Sequence, residues 1–445
     1  MSQQSRYASE EVDASPLAQP LHFEFSGRTA PNRFLKAAMS ERIASWDDKD
    51  LSKRGIPTQE SINLYRRWRE AGAGIVLSGH IIIDTEQIEG PGNLMIPPDA
   101  PLSGERFEAF KAMAAAGKTG DNLIIGQVSH PGRQATELYH PHPLSASDVQ
   151  LQGNIMGMTF GKPRAATQED INNLVKAFAH AAEFLEKAGW DGIELHGAHG
   201  YLLSQFLAPA TNHRTDQYGG SLENRARIIV EIAKAIRART SPGFILSIKL
   251  NSVEFQDEGL QSEEAREICE ILDQNTFDFV ELSGGTYESL GFKYTKESTV
   301  KREAFFIEFA ELISPVLSKT KVYVTGGFKT VGGMVAALKG VDGVGIGRAL
   351  AAEPRLVKDI VSGRVKSALA PAVAPDDFAT TMLAAGVQIK QIGRDQEPLD
   401  ISNEQSIAGL KAAFGDYLQK GVSDSSKSPI DFLSADPVPY GPLVA

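Results

Sequence analysis

The segment DGIELHGAHGYLLSQFL, residues 191–207, contains the clearest strand-to-loop transition in the sequence. Its apolar run GIELHG has the length and composition of a buried strand, and the polar and glycine residues after it are typical of a loop. Three side chains that can form hydrogen bonds, His196, His199 and Tyr201, come where this strand ends and the loop begins. The sequence therefore predicts a strand whose C-terminal end carries chemistry.

Seven further runs of the same kind occur along the chain, and segments of helical period lie between them. The runs are FLKAAM (34–39), GIVLSGH (74–80), NLIIGQVSH (122–130), FILSIKLNS (244–252), FVELSGG (279–285), KVYVTGG (321–327) and GVGIGRAL (343–350). Eight strand–helix units are the number that closes an α/β fold of the (β/α)8 TIM-barrel type. An open doubly wound sheet is the alternative, but no GxGxxG motif follows the first strand.

Additions are expected at both ends of the barrel. Residues 1–20 are polar and are predicted to form a flexible N-terminal tail. The barrel domain is predicted over residues 21–365, and its first segment, LHFEFSGRTAPNRF, is interpreted as an N-terminal β-hairpin that plugs the barrel floor. The strand–helix pattern weakens after residue 365, so residues 366–445 are predicted to be a partly helical C-terminal extension.

Composition excludes several classes of function. A formal charge of -11 over 445 residues disfavours unspecific binding to nucleic acid or to an anionic membrane, so a small-molecule partner is expected. The single cysteine, Cys269, cannot form an internal disulfide, a thiolate zinc site or an iron–sulfur cluster, and its setting REICEILD predicts a buried, inert thiol. No signal-like or membrane-spanning run is evident, which predicts a cytoplasmic protein.

Candidate site residues follow from the barrel, because its chemistry gathers at the C-terminal ends of the strands. The polar and glycine residues at or just after the predicted strands are Ser40, Ser78, His80, Gln127, His130, His196, His199, Tyr201, Lys249, Ser283, Gly326, Gly327 and Arg348. The motifs TGGF (325–328) and GIGRAL (345–350) place glycines where backbone amides can approach a phosphate, although tight turns alone would also explain them.

His196, His199 and Lys249 each allow more than one interpretation. The two histidines are a metal pair without an evident third ligand, two core histidines bonded to backbone carbonyls, or a fork of N–H groups for an oxygen with developing negative charge. We predict no metal. Lys249 is a Schiff-base lysine, a cation beside an anionic cofactor, or an ordinary salt-bridged side chain.

The segment DGIELHGAHGYLLSQFLAPATNHRTDQYGGSLENRARI (191–228) resembles the hallmark segment of the old yellow enzyme family. These enzymes are FMN-dependent NAD(P)H:ene reductases on a (β/α)8 barrel. The resemblance extends from about residue 21 to 365, with NRFLKAAMS, GQVSHPGRQ and GIGRAL in the expected order and spacing. It implies bound FMN, NADPH or NADH as the reductant and an enone-type small molecule as the substrate, and it leaves a homo-oligomer open.

The resemblance also implies a role for individual residues. His196 and His199 match the pair that binds the substrate carbonyl, and Tyr201 matches the proton donor. The residues that match cofactor-binding positions are Ala38, Met39, Ser40 and Gln127 at the flavin ring, Lys249 beside its N1 and O2, and Gly326, Gly327, Gly347 and Arg348 around the phosphate. Three residues depart from the family pattern: Ser40 replaces Thr or Cys, Lys249 replaces an arginine common in some branches, and His80 is unusual.

These roles together imply reduction of an activated C=C bond. FMN gives a hydride from N5 to Cβ, His196 and His199 stabilise charge on the carbonyl oxygen, and Tyr201 gives a proton to Cα. The alternatives are a flavoenzyme that oxidises or isomerises a biosynthetic intermediate, a Schiff-base aldolase that uses Lys249, and a flavin-binding protein without activity. The single cysteine excludes the layout of the larger dienoyl reductases and amine dehydrogenases.

Within the hallmark segment, NHRTDQYGGSLENRAR (212–227) is interpreted as scaffold. Arg214 and Asp216 are expected to pair, and Ser221 is placed to cap the following helix.

Overall fold

The computed structural model describes residues 5–118, 120–154, 158–251, 262–283, 313–374 and 377–421. Eight strands pair in parallel around a closed barrel, in which the first strand pairs with both the last and the second. We number them β1 (Phe34–Lys36), β2 (Ile75–Ile82), β3 (Leu123–Ser129), β4 (Gly192–Gly197), β5 (Ile245–Asn251), β6 (Phe279–Ser283), β7 (Lys321–Thr325) and β8 (Gly343–Ile346). The predicted (β/α)8 barrel is therefore confirmed. Each strand lies within its predicted run except β2, which continues two residues beyond the predicted end at His80.

Helices surround the barrel. In the described ranges they are α1 (Gln59–Arg69), α2 (Gly104–Gly117), α3 (Gln168–Lys187), α4 (Leu202–Leu207), α5 (Leu222–Arg237), α6 (Ser262–Gln274), α7 (Val331–Ala337), α8 (Arg348–Ala352), α9 (Leu356–Val361), α10 (Phe378–Gly393) and α11 (Glu404–Gly421). Short 3₁₀ turns lie at Ser15–Ala18, Leu51–Lys53, Gly132–Gln134 and Ser314–Val316. None of the helices described combines the length and the apolar character needed to cross a membrane.

Helix starts are set by local hydrogen bonds. Thr58 and Thr167 close capping boxes at the starts of α1 and α3. Ser221 caps α5 by accepting a hydrogen bond from the backbone N–H of Asn224, as the sequence predicts. The predicted pair between Arg214 and Asp216 is also confirmed, with 3.0 Å between Nε and Oδ1.

The barrel interior changes from apolar to polar along its axis. Its floor is a cluster of buried side chains that includes Leu35, Leu77, Ile125, Ile245, Phe279 and Tyr323. Side chains of a strand alternate between its two faces, so residues two positions further along face the same interior. Gln127 follows Ile125, Glu281 follows Phe279 and Thr325 follows Tyr323 in this way. The same alternation therefore builds the core of the floor and the polar layer above it.

The N-terminal hairpin closes the floor, as predicted. Leu21–His22 pairs in antiparallel fashion with Thr29–Ala30. Phe23 is fully buried, and its ring lies 5.7 Å from that of Phe279. The hairpin thus supplies an apolar plug that the short barrel strands lack on their own.

Both ends of the chain pack against the barrel where they are described. Arg6 pairs with Glu353 at 2.6 Å, and Leu17 is fully buried. At the other end, α10 packs on α1 and α8, and α11 contributes Leu410 to a small cluster with α10. Where it is described, the extension contains the helices α10 and α11. The division of the chain into tail, barrel domain and extension at residues 20 and 365 stays a prediction. The remaining residues of the extension, 422–445, lie outside the described ranges.

Cys269 lies on α6 and is fully buried. Burial raises the pKa of its thiol to about 12, so the thiol stays protonated near neutral pH. The prediction of a buried, inert cysteine is confirmed.

Replacing Phe23 with Ala is expected to lower the free energy of unfolding by about 3–5 kcal/mol, because it leaves a cavity under the barrel. The matched control is Phe25→Ala, two residues further along the same hairpin, where the ring is only half-buried. Urea unfolding followed by tryptophan fluorescence measures both variants. If Phe23→Ala and Phe25→Ala lose equal amounts of unfolding free energy, the role of Phe23 as the plug is contradicted.

Candidate active site

Three aromatic side chains meet above the polar layer, at the C-terminal ends of β2 and β4. The ring centroid of His196 lies 4.9 Å from that of His80 and 4.6 Å from that of Tyr201, and the rings of His80 and Tyr201 are 4.8 Å apart. The pairing of β2 with β3 shifts register between Leu77 and His80. Such a bulge re-aims the side chains that follow it, which accounts for the position of His80 beside the predicted site.

The loop after β4 holds His199 in an unusual backbone conformation. His199 has a φ of 58°, a left-handed value that few residues other than glycine adopt. Its backbone N–H donates to Asn251 Oδ1 of β5 at 3.2 Å, and its ring Nε2 lies 3.0 Å from the Ser283 hydroxyl of β6. Two neighbouring strands therefore fix the side chain, which stands 5.2 Å from the ring of His196. Strained backbone conformations of this kind persist where several surrounding contacts hold them in place.

Both predicted oxygen-binding histidines are neutral. Burial lowers the pKa of His196 well below its usual range, and the nearby His80, His199 and Lys249 lower it further. Burial followed by the charges of Lys249 and His80 does the same for the pKa of His199. His196 Nδ1 accepts a hydrogen bond from the backbone N–H of Ala198 at 3.3 Å, so the ring proton of the neutral form is on Nε2.

A carboxylate that the sequence did not single out lies behind Tyr201. Glu89 is 3% exposed, and its Oε2 accepts the hydrogen bond of the Tyr201 hydroxyl. Its Oε1 lies 3.1 Å from Arg42 Nη2, 3.1 Å from Asn93 Nδ2 and 3.3 Å from His80 Nδ1. Burial alone would raise the pKa of Glu89, but His80, Arg42 and the hydrogen bond of Tyr201 hold it well below its usual range. Glu89 is therefore ionised.

The sequence does not identify Glu89 or Arg42 as site residues, and the reason is structural. Both lie in loops beyond the strand ends, where no periodic pattern marks them. Ser40, which was predicted, also reaches this cluster, since its hydroxyl lies 3.4 Å from Glu89 Oε1. The position of His80 next to a carboxylate gives that residue a place in the site.

The polar layer beneath the rings contains two buried pairs. Gln127 Nε2 donates to Glu194 Oε1 at 2.7 Å, and Lys249 Nζ lies 2.8 Å from Glu281 Oε1. Burial, followed by the negative charge of Glu281, raises the pKa of Glu194 well above its usual range. Glu194 is therefore a neutral acid beside the Lys249–Glu281 ion pair. Of the three readings of Lys249, the salt-bridged lysine describes its contacts in this structure.

The predicted phosphate end lies at β7 and β8. Gly326 and Gly327 follow β7 with φ values of 144° and 80°, and Gly347 precedes α8. A Cβ on Gly327 would meet nothing within 4 Å, and one on Gly347 would meet only the Met39 side chain at 4.0 Å. Open space therefore lies in front of these backbones, and Met39 brings the segment after β1 to the same place.

Three of the predicted polar residues have other partners. Arg348 donates to the Thr381 hydroxyl of α10 at 2.5 Å, and its guanidinium lies 4.8 Å from the ring of Phe378. The Ser78 hydroxyl accepts from the backbone N–H of Gln127 at 2.9 Å, and His130 Nε2 lies 3.7 Å from Asp84. Arg348 thus ties the C-terminal extension to the glycine end of the site, while Ser78 and His130 support the scaffold.

The residues present fit a polar cofactor such as FMN. The buried polar atoms of the barrel interior that have no hydrogen-bond partner among the described residues include Gln127 Oε1 and Thr325 Oγ1. Unpaired buried polar atoms are costly and commonly indicate a missing ligand or water. Amide and carboxyl groups suit the ring edge of a flavin, and the open glycine backbones suit its phosphate. No His, Cys, Asp or Glu cluster in the described ranges has the arrangement of a metal site.

Comparison with known proteins assigns the family. Residues 16–367 match the NADH:flavin oxidoreductase / NADH oxidase family. The chain belongs to this family and is a member of the old yellow enzymes. The cofactor of the family is FMN and its reductant is NAD(P)H, so the predicted cofactors are confirmed at this level.

Individual relatives cover most of the chain. An NADH-dependent flavin oxidoreductase of Aspergillus parasiticus is 47% identical over 436 residues, which are 97% of this chain and 98% of that protein. One of Talaromyces variabilis is 37% identical over 361 residues, 75% of this chain and 84% of that protein. Morphinone reductase has a similar structure, with a TM-score of 0.64 and 24% identity over 80% of this chain and 93% of that one. The old yellow enzyme homologue from Zymomonas mobilis also has a similar structure, with a TM-score of 0.63 and 22% identity, over 79% of this chain and 94% of that one.

Replacing Lys249 with Met is expected to destabilise the enzyme by about 3–5 kcal/mol, because Glu281 then stays buried without its cation. The double variant Lys249→Met/Glu281→Leu removes both charges and is expected to be more stable than the single variant. Chemical unfolding with FMN in excess measures both. If the double variant loses as much unfolding free energy as Lys249→Met and Glu281→Leu together, the ion pair has no role in stability.

Proposed function

We propose that this flavin oxidoreductase reduces the activated C=C bond of α,β-unsaturated carbonyl compounds. The observation that carries the proposal is the grouping of two neutral histidines and a tyrosine hydroxyl at the open end of the barrel. Neutral imidazoles donate hydrogen bonds without bringing a full charge, which suits an oxygen that becomes negative only during reaction. The hydroxyl supplies the proton that the product needs.

The polar layer would hold the cofactor. Bound FMN supplies the hydride, which it receives from NAD(P)H. Gln127 and Lys249 would bind the flavin ring, and the unpaired Oε1 of Gln127 is available for this purpose. The residues assigned to the rest of the cofactor are Ala38, Met39, Ser40, Gly326, Gly327, Gly347 and Arg348.

His196 and His199 would bind the carbonyl oxygen. The proton of His196 is on Nε2, because Nδ1 accepts from Ala198. When His199 Nε2 accepts the Ser283 hydroxyl, its Nδ1–H is the second donor. Both donors act in a buried environment, where hydrogen bonds to a developing negative charge are stronger than in water.

Tyr201 would give the proton to Cα. A tyrosine has an ordinary pKa of about 10, so it is protonated at neutral pH and can transfer its proton to a basic enolate. Its ring lies beside that of His196 with 4.6 Å between centroids, so the hydroxyl and the oxygen-binding N–H serve one substrate.

A Schiff-base aldolase is disfavoured by the contacts of Lys249. The lysine would have to be available to attack a carbonyl carbon, but its Nζ is engaged by Glu281 Oε1 at 2.8 Å in a buried pair. Oxidation or isomerisation of a carbonyl compound by the same residues remains a second candidate. One observation favours it: Tyr201 donates its hydrogen to the ionised Glu89, a carboxylate to which the tyrosine can pass a proton.

Replacing Tyr201 with Phe is expected to slow reoxidation of the reduced enzyme by 2-cyclohexen-1-one about 100-fold, because the proton donor is lost. Reduction of the enzyme by NADH should be unchanged, since it needs no such donor. Anaerobic stopped-flow absorbance at the flavin bands measures the two half-reactions separately. Tyr65→Phe is the matched control, because Tyr65 is also a buried tyrosine that donates to a glutamate, Glu41. An unchanged enone half-reaction in Tyr201→Phe would overturn the assignment.

A further inference from the structure

The two oxygens of Glu89 have different surroundings. Oε1 faces the guanidinium of Arg42 at 3.1 Å and the amide of Asn93 at 3.1 Å, and His80 Nδ1 lies 3.3 Å away. Oε2 accepts the hydroxyl of Tyr201. Oε1 is thus held in place by fixed donors, and Oε2 is the oxygen that can exchange a proton with the site.

The charge of Glu89 determines what Tyr201 can do. Arg42 is 3% exposed and pairs with the carboxylate, so both charges are buried together. The Tyr201 hydrogen therefore points at Glu89. If Tyr201 gave this proton to carbon while Glu89 stayed ionised, a tyrosinate would form directly beside a buried carboxylate. Two like charges at hydrogen-bond distance in such a site are strongly unfavourable.

We propose that Glu89 is the proton-exchanging partner of Tyr201, and that Tyr201 relays a proton between Glu89 and the α-carbon of the carbonyl compound. The proposal rests on the proposed function, because it takes the α-carbon to lie at Tyr201. Glu89 acts through Tyr201 and is a positioning residue in this sense.

The relay is balanced in both directions. For reduction, the Glu89 carboxylate first takes up a proton from solvent. The acid then gives this proton to Tyr201 Oη while Tyr201 gives its own proton to Cα, so tyrosine is restored and Glu89 returns to its resting carboxylate. In reverse, the C–H proton moves to Tyr201 Oη and the Tyr201 proton moves to Glu89. The electron pair of that C–H bond remains as an enolate, whose oxygen is held by His196 Nε2–H.

A further activity follows from the resting state of the relay. With Glu89 ionised and bonded to Tyr201, the pair has the protonation state that removal of a proton from carbon requires before any hydride is transferred. The enzyme is therefore expected to exchange the α-hydrogens of a saturated ketone with solvent. The same enolate would allow a β,γ-unsaturated ketone to isomerise into its conjugated form, with no net oxidation or reduction.

Deuterium exchange tests the proposal directly. The FMN-loaded enzyme, without NADH, is incubated with cyclohexanone in D2O, and the α-protons are followed by NMR. The wild type is expected to exchange them, and Tyr201→Phe and Glu89→Gln are expected to lose about 100-fold in rate. The glutamine keeps the size of Glu89 and an acceptor oxygen but cannot carry a proton. Glu89→Asp keeps a carboxylate and is expected to restore part of the exchange.

Glu41→Gln is the matched control. Glu41 is also buried and accepts from a tyrosine, Tyr65, but it lies against α1 and bonds to the backbone N–H of Gly79 at 2.7 Å. This variant is expected to exchange α-protons at the wild-type rate per bound FMN. A general effect of removing a buried carboxylate would slow both variants alike.

Different results overturn different claims. If Glu89→Gln exchanges and reduces as well as the wild type while Tyr201→Phe does not, the relay is wrong and the role of Tyr201 stands. If Tyr201→Phe still reduces 2-cyclohexen-1-one at the wild-type rate, the role of Tyr201 and the relay both fail while enone reduction stands. If the FMN-loaded wild type does not reduce the enone with NADH, the proposed function itself fails. The wild-type enzyme alone also tests the relay. If it reduces the enone but exchanges no α-protons above the uncatalysed rate, the relay is contradicted.

Discussion

Desolvation of the polar layer and of the rings above it is the constraint on which the rest of this structure depends. A charge that leaves water must find a partner, and a group without one stays neutral. Lys249 is therefore paired with Glu281, and Glu89 is paired with Arg42. His196 and His199 have no carboxylate beside them in the contacts described and are neutral. The free-energy cost of desolvation thus accounts both for the buried ion pairs in the barrel and for the neutral donors that suit an oxygen anion.

Much of the fold follows from the sequence because its signals are local. The eight strands, the floor hairpin and the Ser221 cap each depend on short patterns of apolar or capping residues, and the structure confirms them. His196, His199 and Tyr201 could be placed together because they follow one strand of a barrel whose strand ends share a rim. Glu89 could not be found in this way, because 112 residues separate it from Tyr201 and its loop has no periodic pattern. The partners of Lys249 and Arg348 were missed for the same reason: their contacts cross between strands or reach α10.

The protonation of one residue pair connects the two candidate reactions. A tyrosine that donates to a carboxylate is a poor acid, and the same tyrosine becomes a good acid once the carboxylate is protonated. Reduction and α-proton removal therefore use the same atoms in opposite directions; Arg42 and His80 keep the resting Glu89 in the ionised form from which removal begins, and they also make it a weaker base. The oxygen-binding role proposed for the two histidines is common to both, whereas only reduction uses the hydride. In the proposed relay, the charge of Glu89 thus sets which of the two proton transfers can begin.

The central claim is that FMN lies in the barrel with His196 and His199 arranged to hold an oxygen anion against it. The most direct measurement is the visible absorption spectrum of the purified enzyme during titration with a para-substituted phenol. The account predicts flavin bands and a new, saturable long-wavelength band, because a phenolate held by the two histidines donates charge to the flavin, and this band should weaken in His196→Ala and in His199→Ala. A protein that stays colourless after reconstitution with FMN, or flavin bands that no phenol perturbs, would contradict the account.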